Sequence, residues 1–327
     1  MRPILFGICG AFFFAFTYIL NRSMEMSGGS WIWSASLRYF WTALFLVIIV
    51  MLRKQLRPLL KVMREEPLKW LWWSFVGFGL FYAPMCFSTA YAPGWLVAAT
   101  FQVTIVFGSL LAPLFYDNIE TTSGTKRVRS KIPFRGLAFS MVILAGVILM
   151  QIEHAKDITG KELLYATIPM VIASIAYPLG NRKMMEVSRG RLHTFERVLG
   201  MTIASMPFWF LLAIYGLLTE GMPSMDQTVQ SGMVALFAGV IATVLFFRAT
   251  DMVNGQMKKL AAVEATQPVS VLISLLGELF FLSADIPSPL SWVGMLTVIF
   301  GVVLHSFAAH KKVEKSMSLG KKVESMR

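Results

Sequence analysis

The sequence predicts an all-α membrane protein of ten transmembrane helices in a five-plus-five inverted repeat, with both termini in the cytoplasm. Three observations lead there. Of 327 residues, 56% are hydrophobic and only 15% are charged, against roughly 25% charged in soluble domains. The basic residues fall almost entirely in alternate loops. And one word is written twice: "YILNRSM" at 18–24 and "YPLGNRKM" at 177–184 each close a long apolar run.

About 20 apolar residues cross the hydrocarbon as a helix. Ten such stretches run over 3–21, 31–52, 68–90, 93–116, 133–151, 162–181, 194–219, 228–250, 260–282 and 289–308. Helices are predicted because the stretches lack the dyad alternation of a barrel, and backbone groups in lipid must bond internally. The first stretch is too long for a signal peptide, shows no small-x-small cleavage site and ends in the repeated word, so it reads as a span. Trp31 and Trp33 open the second span, Trp70, Trp72 and Trp73 the third, Trp95 the fourth and Trp292 the tenth, as rings that favour the membrane interface. Between the second and third, "RKQLRPLLKVMREEPLK" predicts a short surface helix limited by Pro58 and Pro67. The seventh span has the least defined start, within 182–197. The tail 310–327 reads as basic, cytoplasmic and disordered. Cys9 and Cys86 lie in apolar runs and read as small buried hydrophobes.

Of the 30 Lys and Arg, 25 fall in the loops and termini of one side, while only Arg22, Lys156 and Lys161 fall on the other. Arg38 and Arg197 lie within spans. This partition predicts an even number of spans with both ends inside. The net charge of +12 is therefore a topology signal. Its partner is anionic lipid at the cytoplasmic loops, with no nucleic acid implied.

The repeated word belongs to a longer repeat. "QVTIVFGSLLAPLF" in the fourth span aligns with "QPVSVLISLLGELF" in the ninth at an offset of 165. Asn21 and Asn181 differ by 160, and Arg38 and Arg197 by 159. The units are 1–157 and 158–309, followed by the tail 310–327. Five spans is an odd number, so the second copy enters from the opposite side, the plan of many secondary transporters.

With ten spans, short loops and a ninth span reading Pro268, then Leu275-Leu276-Gly277-Glu278, the chain resembles the drug/metabolite transporter superfamily, and within it the multidrug resistance efflux branch. The resemblance covers 3–308. It implies a central cavity lined by the first four spans of each half. It also implies alternating-access export of a small amphipathic or cationic compound across a bacterial inner membrane, with no cofactor and with proton coupling left open. Uptake or exchange of a metabolite is the alternative within the class, and a membrane-embedded enzyme or channel the alternative outside it. One departure stands out. The small four-span members carry an essential carboxylate in their first span, whereas 3–21 holds no Asp or Glu, and the sixth span has only Glu162 at its outer edge.

Polar groups in hydrocarbon are costly and mark candidate sites. On a helical wheel Glu264, Gln267, Ser274 and Glu278 share an arc of about 80°, and the fourth span offers the matching Gln102 and Ser109. Cavity lining and interhelical bonding both fit this stripe. By helical rise, Gln102 and Gln267 lie about 5 Å from mid-span and Glu264 about 10 Å toward the cytoplasm. Glu264 is the coupling candidate, with a salt bridge near Lys258 and Lys259 as its plainer role. Glu278 reads as structural, within the Gly-Glu ending. Arg38, about 5 Å outside the centre of its span, needs a carboxylate, several carbonyls or an anionic group of the substrate. Arg197 snorkels to the cytoplasmic edge. Tyr18, Tyr82, Tyr177, Trp41 and Trp209 pack or stack on a cation. Asn21 and Asn181 read as matching helix ends, candidates for gating. No enzyme is expected: there is no HExxH, and Gly160-Lys161 is followed by Glu162, so there is no P-loop. His154, His193, His305 and His310 lie at span edges or in loops, so no metal site is expected.

Overall fold

Apolar runs become helices throughout the part of the chain that this computed structural model describes: residues 2–121, 124–132, 134–156, 158–252, 263 and 266–324. The helices are α1 (Arg2–Met26), α2 (Trp31–Leu52), α3 (Leu56–Glu65), α4 (Pro67–Ser74), α5 (Leu80–Thr89), α6 (Gly94–Phe101), α7 (Thr104–Leu110), α8 (Phe134–His154), α9 (Gly160–Ser188), α10 (Thr194–Thr219), α11 (Met225–Val234), α12 (Thr243–Asp251), α13 (Val269–Phe281) and α14 (Pro289–Glu324). Phe75–Gly79 joins α4 to α5, and Ala235–Ala242 joins α11 to α12, as π-helical segments. Among the described residues seven continuous helices are long and apolar enough to cross a membrane, and Gly94–Leu110, Val269–Phe281 and Pro289–His305 are shorter apolar helices. The protein is thus a multi-pass helical membrane protein.

Local chemistry sets the boundaries. Ser30 caps α2 by accepting from the Ile32 amide, and Ser224 caps α11 by accepting from Gln227. Thr159 and Glu162 form a reciprocal capping box at the start of α9. The surface helix α3 buries Leu59 and Val62 and carries Pro58 in its first turn, where the missing N–H costs nothing.

Irregularities recur at matched positions. The two π-helical segments begin at Phe75 and Ala235, 160 residues apart. The fourth apolar stretch breaks at residues 102–103, and a turn at 266–268 precedes α13, so Gln102 and Gln267 both sit at breaks. Packing is matched as well. α1 lies against α12, its π-helical neighbour and α13, whereas α9 lies against α4, α5, their π-helical joint and α7. α2 runs along α10, and α8 along α14.

Several sequence expectations are corrected. Neither Asn21 nor Asn181 is a helix end: α1 runs on to Met26 and α9 to Ser188. α1 ends before Gly28, at φ 79°, and α9 ends before Arg189 and Gly190, at φ 51° and 69°, all in the left-handed region. The longer α1 puts Glu25 on the first helix. The loop after α7 forms a hairpin, β1 (Tyr116–Thr121) paired antiparallel with β2 (Gly124–Arg129), Tyr116 opposite Arg129 and Thr121 opposite Gly124. The tail is not irregular: α14 continues to Glu324, through a Lys-rich stretch without proline. Trp33, Trp70 and Trp95 are buried against neighbouring helices; Trp70 lies where a Cβ on Gly200 would meet it at 2.6 Å.

The tightest helix crossing is made by the second copy of the repeated word. A Cβ on Gly180 would overlap the Gly77 backbone and come within 3.0 Å of the Trp73 carbonyl oxygen. Gly180→Ala must push α9 away from the π-helical joint, at a cost of about 1–3 kcal/mol, and is expected to lower the thermal midpoint of the detergent-solubilised protein. Gly160→Ala is the control, since a Cβ there meets nothing within 4 Å. Equal midpoints for the two variants would refute the crossing.

Two exposed ion pairs tie the end of α3 to the turn between α9 and α10. Arg191 lies 2.8 Å from Glu65, and Arg189 lies 3.5 Å from Glu66. The hydrogen bond from Arg191 holds the Glu65 carboxyl below its ordinary value of 4.5, and that from Lys69 does the same for Glu66. Carboxylates with depressed folded values stabilise above that ordinary value, and the contribution is lost as pH falls through the lowered one. Thermal unfolding followed downward from neutral pH is expected to show part of its acid loss disappear in the Glu65→Gln, Glu66→Gln double variant. At neutral pH the variant should change little, as exposed pairs do.

Candidate functional site

The interior between α1, α2, α5, α9 and α10 gathers the polar residues that a bilayer would otherwise reject. Asn21 (1% exposed) donates from Nδ2 to the Tyr82 hydroxyl at 3.0 Å, and its Oδ1 lies 3.2 Å from the same hydroxyl. The same Nδ2 lies 3.5 Å from Cys86 Sγ. The Tyr82 ring carries Arg38, whose Cζ is 3.8 Å from the ring centre. Tyr39 flanks the guanidinium at 5.7 Å and stacks on Trp209, with centroids 4.2 Å apart and planes inclined by 12°. Trp209 is held in turn by its Nε1 donating to Ser205 Oγ at 3.0 Å.

Tyr18 and Tyr177 complete the set. Both lie within electrostatic range of Arg38, and of each other. Tyr18 is buried, while Tyr177 is 39% exposed although its ring packs 4.7 Å from Phe81 and 5.5 Å from Phe101. Arg38 is itself partly exposed, so the group borders open space. Its Nη1 is buried without a hydrogen-bond partner. Among the described residues no carboxylate lies within ion-pair distance of it. A cation–π contact gives about 0.5–2 kcal/mol, less than the several kcal/mol needed to desolvate an ion.

The polar stripe of the fourth and ninth stretches lies elsewhere. Glu278 accepts from the Trp95 amide at 2.7 Å at the start of α6, and Ser274 Oγ reaches it at 3.4 Å. A Cβ on Gly94 would sit 2.6 Å from the same carboxylate oxygen, so the chain needs glycine there. Gln102 is buried and donates to Ala98 O at 3.4 Å, within its own helix. Ser109 and Ser274 are buried, and the Gln267 Nε2 is buried without a partner. Glu264 lies outside the described residues. Asn181 donates to its own helix, at Tyr177 O (2.9 Å), so it does not mirror Asn21. The adjacent arginines do behave alike, each capping a carbonyl on another helix: Arg22 donates to Thr89 O at 2.8 Å and Arg182 to Gly108 O at 2.6 Å. Trp41 packs on Phe45 and donates to Thr228 O, away from the cluster.

Sequence reasoning missed Tyr39, Cys86 and Glu25. Glu25 stands one turn beyond Asn21 on the same face of α1, with Oε1 buried and unpartnered; the i, i+4 spacing would have shown it had the helix been carried past residue 21. A separate cavity of about 390 Å³ lies between α6–α7, α8 and α9. Its walls include Ile148, Ile152, Leu164 and Ile168, all exposed apolar side chains that suit acyl chains. Its polar floor is closed on itself, Gln151 bonding Thr100 and Thr167. Unsatisfied charged atoms lie at Arg38, Glu25 and Glu196, and of these Arg38 is the one set against the aromatic rings.

Comparison with known proteins agrees with a membrane carrier. A protein-family model described as EmrE, "Putative multidrug resistance efflux transporter", matches residues 1–311. The chain is 53% identical over 315 residues to "Uncharacterized protein YjlA" of Bacillus subtilis (strain 168), covering 96% of this chain and 97% of that one. It is 48% identical over 267 residues to an "Uncharacterized 42.1 kDa protein in intracellular alkaline protease 3'region" of Shouchella clausii, covering 82% of this chain and 69% of that one. With its apolar helices and a family match over nearly its whole length, the chain belongs to the EmrE family of multidrug resistance efflux transporters, within the drug/metabolite transporter superfamily.

Proposed function

We propose that the protein is a secondary active transporter of the cytoplasmic membrane, exporting a small amphipathic compound by alternating access. In this reading ten segments cross the bilayer as two inverted five-segment halves, with both termini inside. The observation that carries it is the recurrence of irregular backbone at matched places: π-helical segments beginning at Phe75 and Ala235, and breaks at Gln102 and Gln267. The reciprocal packing of α1 and α9 supports it too. Halves of similar structure and opposite orientation have inward-open and outward-open packings of similar energy, with the substrate between them near mid-membrane. The group of Tyr18, Arg38, Tyr82 and Tyr177 is the substrate site in this reading. Glu264, and now Glu25, are the titratable candidates for coupling to protons. Asn21 acts as a gate element through Tyr82, and Glu278 as a structural pin between α13 and α6. A cationic substrate would have to find its counter-charge at Glu25 or Glu264, since none is described beside the aromatic rings.

Two measurements test this. Cysteine at Gly160, where a side chain meets open space, should react with an impermeant maleimide from outside the cell. Cysteine at the exposed Lys61 should react only after permeabilisation. The reverse pattern, or equal labelling, sinks the topology. In proteoliposomes an imposed pH gradient should drive accumulation of at least one member of a panel of aromatic cations, neutral nucleosides and aromatic carboxylates. Glu264→Gln should abolish the response to the gradient while exchange of internal for external substrate persists. Flux at channel rates, or chemical change of the compound, would overturn the transporter reading.

A further inference from the structure

The partly buried guanidiniums of Arg38 and Arg197 have no ion pair among the described residues, and of these Arg38 is the one set against the aromatic rings. Arg38 is stacked on Tyr82, its Nη1 is buried without a partner, and the titratable groups that face it are Tyr82, Tyr39 and Cys86, with Tyr18 and Tyr177 a little further off. These are phenols and a thiol, whose ordinary values near 10 and 8.5 leave them uncharged at neutral pH. None of the described carboxylates of the interior lies within ion-pair distance of Arg38. Glu278 caps α6, Glu196 lies 4.0 Å from Arg53, and Glu25, with its Oε1 unpartnered, stands one turn beyond Asn21. Glu264 lies outside the described residues.

A cation set on aromatic rings and paired with no described carboxylate can take an anion, and the planar fork of arginine matches a carboxylate. We propose that Arg38 anchors a carboxylate of the transported compound, and that the rings of Tyr82, Tyr39, Tyr18 and Tyr177 receive its apolar or aromatic body. The substrate class is then an amphipathic carboxylic acid rather than a lipophilic cation. This rests on the transporter reading for its biological meaning, though the anion site itself does not need that reading. The Tyr39–Trp209 stack gives the site a built-in reporter, since an occupant beside Tyr39 alters the surroundings of the Trp209 indole.

Benzoate, benzamide and benzylamine share one ring and differ in charge. Their binding to the purified full-length protein, followed by tryptophan fluorescence at neutral pH and constant ionic strength, tests the proposal. Benzoate should bind roughly 10- to 100-fold more tightly than benzamide, as a charged hydrogen-bonded pair would give. Arg38→Gln should erase that preference, and Arg38→Lys should keep part of it. The proposal is overturned if benzylamine binds as well as benzoate, if Arg38→Gln binds benzoate unchanged, or if benzoate does not bind even at high millimolar concentration. A response to phosphatidylglycerol but not to benzoate overturns it in favour of a lipid headgroup. If neither variant folds, the ranking of the three ligands on the unmodified protein decides. Proteoliposome flux separates the two readings. Arg38-dependent benzoate binding without translocation would remove the transporter and leave the anion site; translocation of a cationic dye, equal in Arg38→Gln, would leave the transporter and remove the anion site.

Discussion

Lipid offers no hydrogen bonds, and this lack governs where the chain can depart from regular helix. A backbone group that leaves the helical ladder must be satisfied by protein, so irregular segments survive only where other helices cover them. The π-helical joint at Phe75–Gly79 obeys this rule. Val76, Gly77, Phe78 and Gly79 are buried, and α9 lies directly on them through Gly180. The start of α6 obeys it as well, with Glu278 supplying from α13 the acceptor that the Trp95 amide lacks within its own helix.

The same constraint explains how the interior became polar. Asn21, Tyr82 and Cys86 satisfy one another, which removes the penalty for burying each of them. Beside that trio Arg38 is not satisfied, and its cost is offset only in part by the Tyr82 face. A residue that breaks the rule of satisfaction inside an otherwise satisfied network is where function is to be sought.

Composition and loop charge made the helical membrane class legible, because hydrophobic length and the bias of Lys and Arg are strong, additive signals. The polar candidates were legible as residue types but not as partners. The helical wheel grouped Glu278 with Gln267, yet what Glu278 meets is an amide 183 residues away, and no periodicity encodes a contact between distant helices. Cys86 looked like a small hydrophobe because its partner Asn21 stands on another helix. Helix ends were misplaced at both copies of the repeated word, since "SMEM" and "KMMEV" are polar enough to suggest a loop but carry helix-forming residues. The hairpin after α7 was hidden in a stretch read only for its charge.

The two copies of that word differ by one inserted residue, and the insertion has a consequence of its own. In the first copy Asn21 follows Tyr18 by three positions; in the second, with Gly180 added, Asn181 follows Tyr177 by four. One residue turns a helix by about 100°, so the second asparagine is rotated back over its own preceding turn, onto the Tyr177 carbonyl, while Gly180 occupies the crossing with Gly77. The two copies of the word are therefore not interchangeable at this point: one carries a cross-helix polar latch, the other a bare backbone contact. On the alternating-access reading, opening the two faces of the membrane would break different kinds of contact. The two open states would then differ in energy, and the carrier would have a preferred resting side even without a substrate.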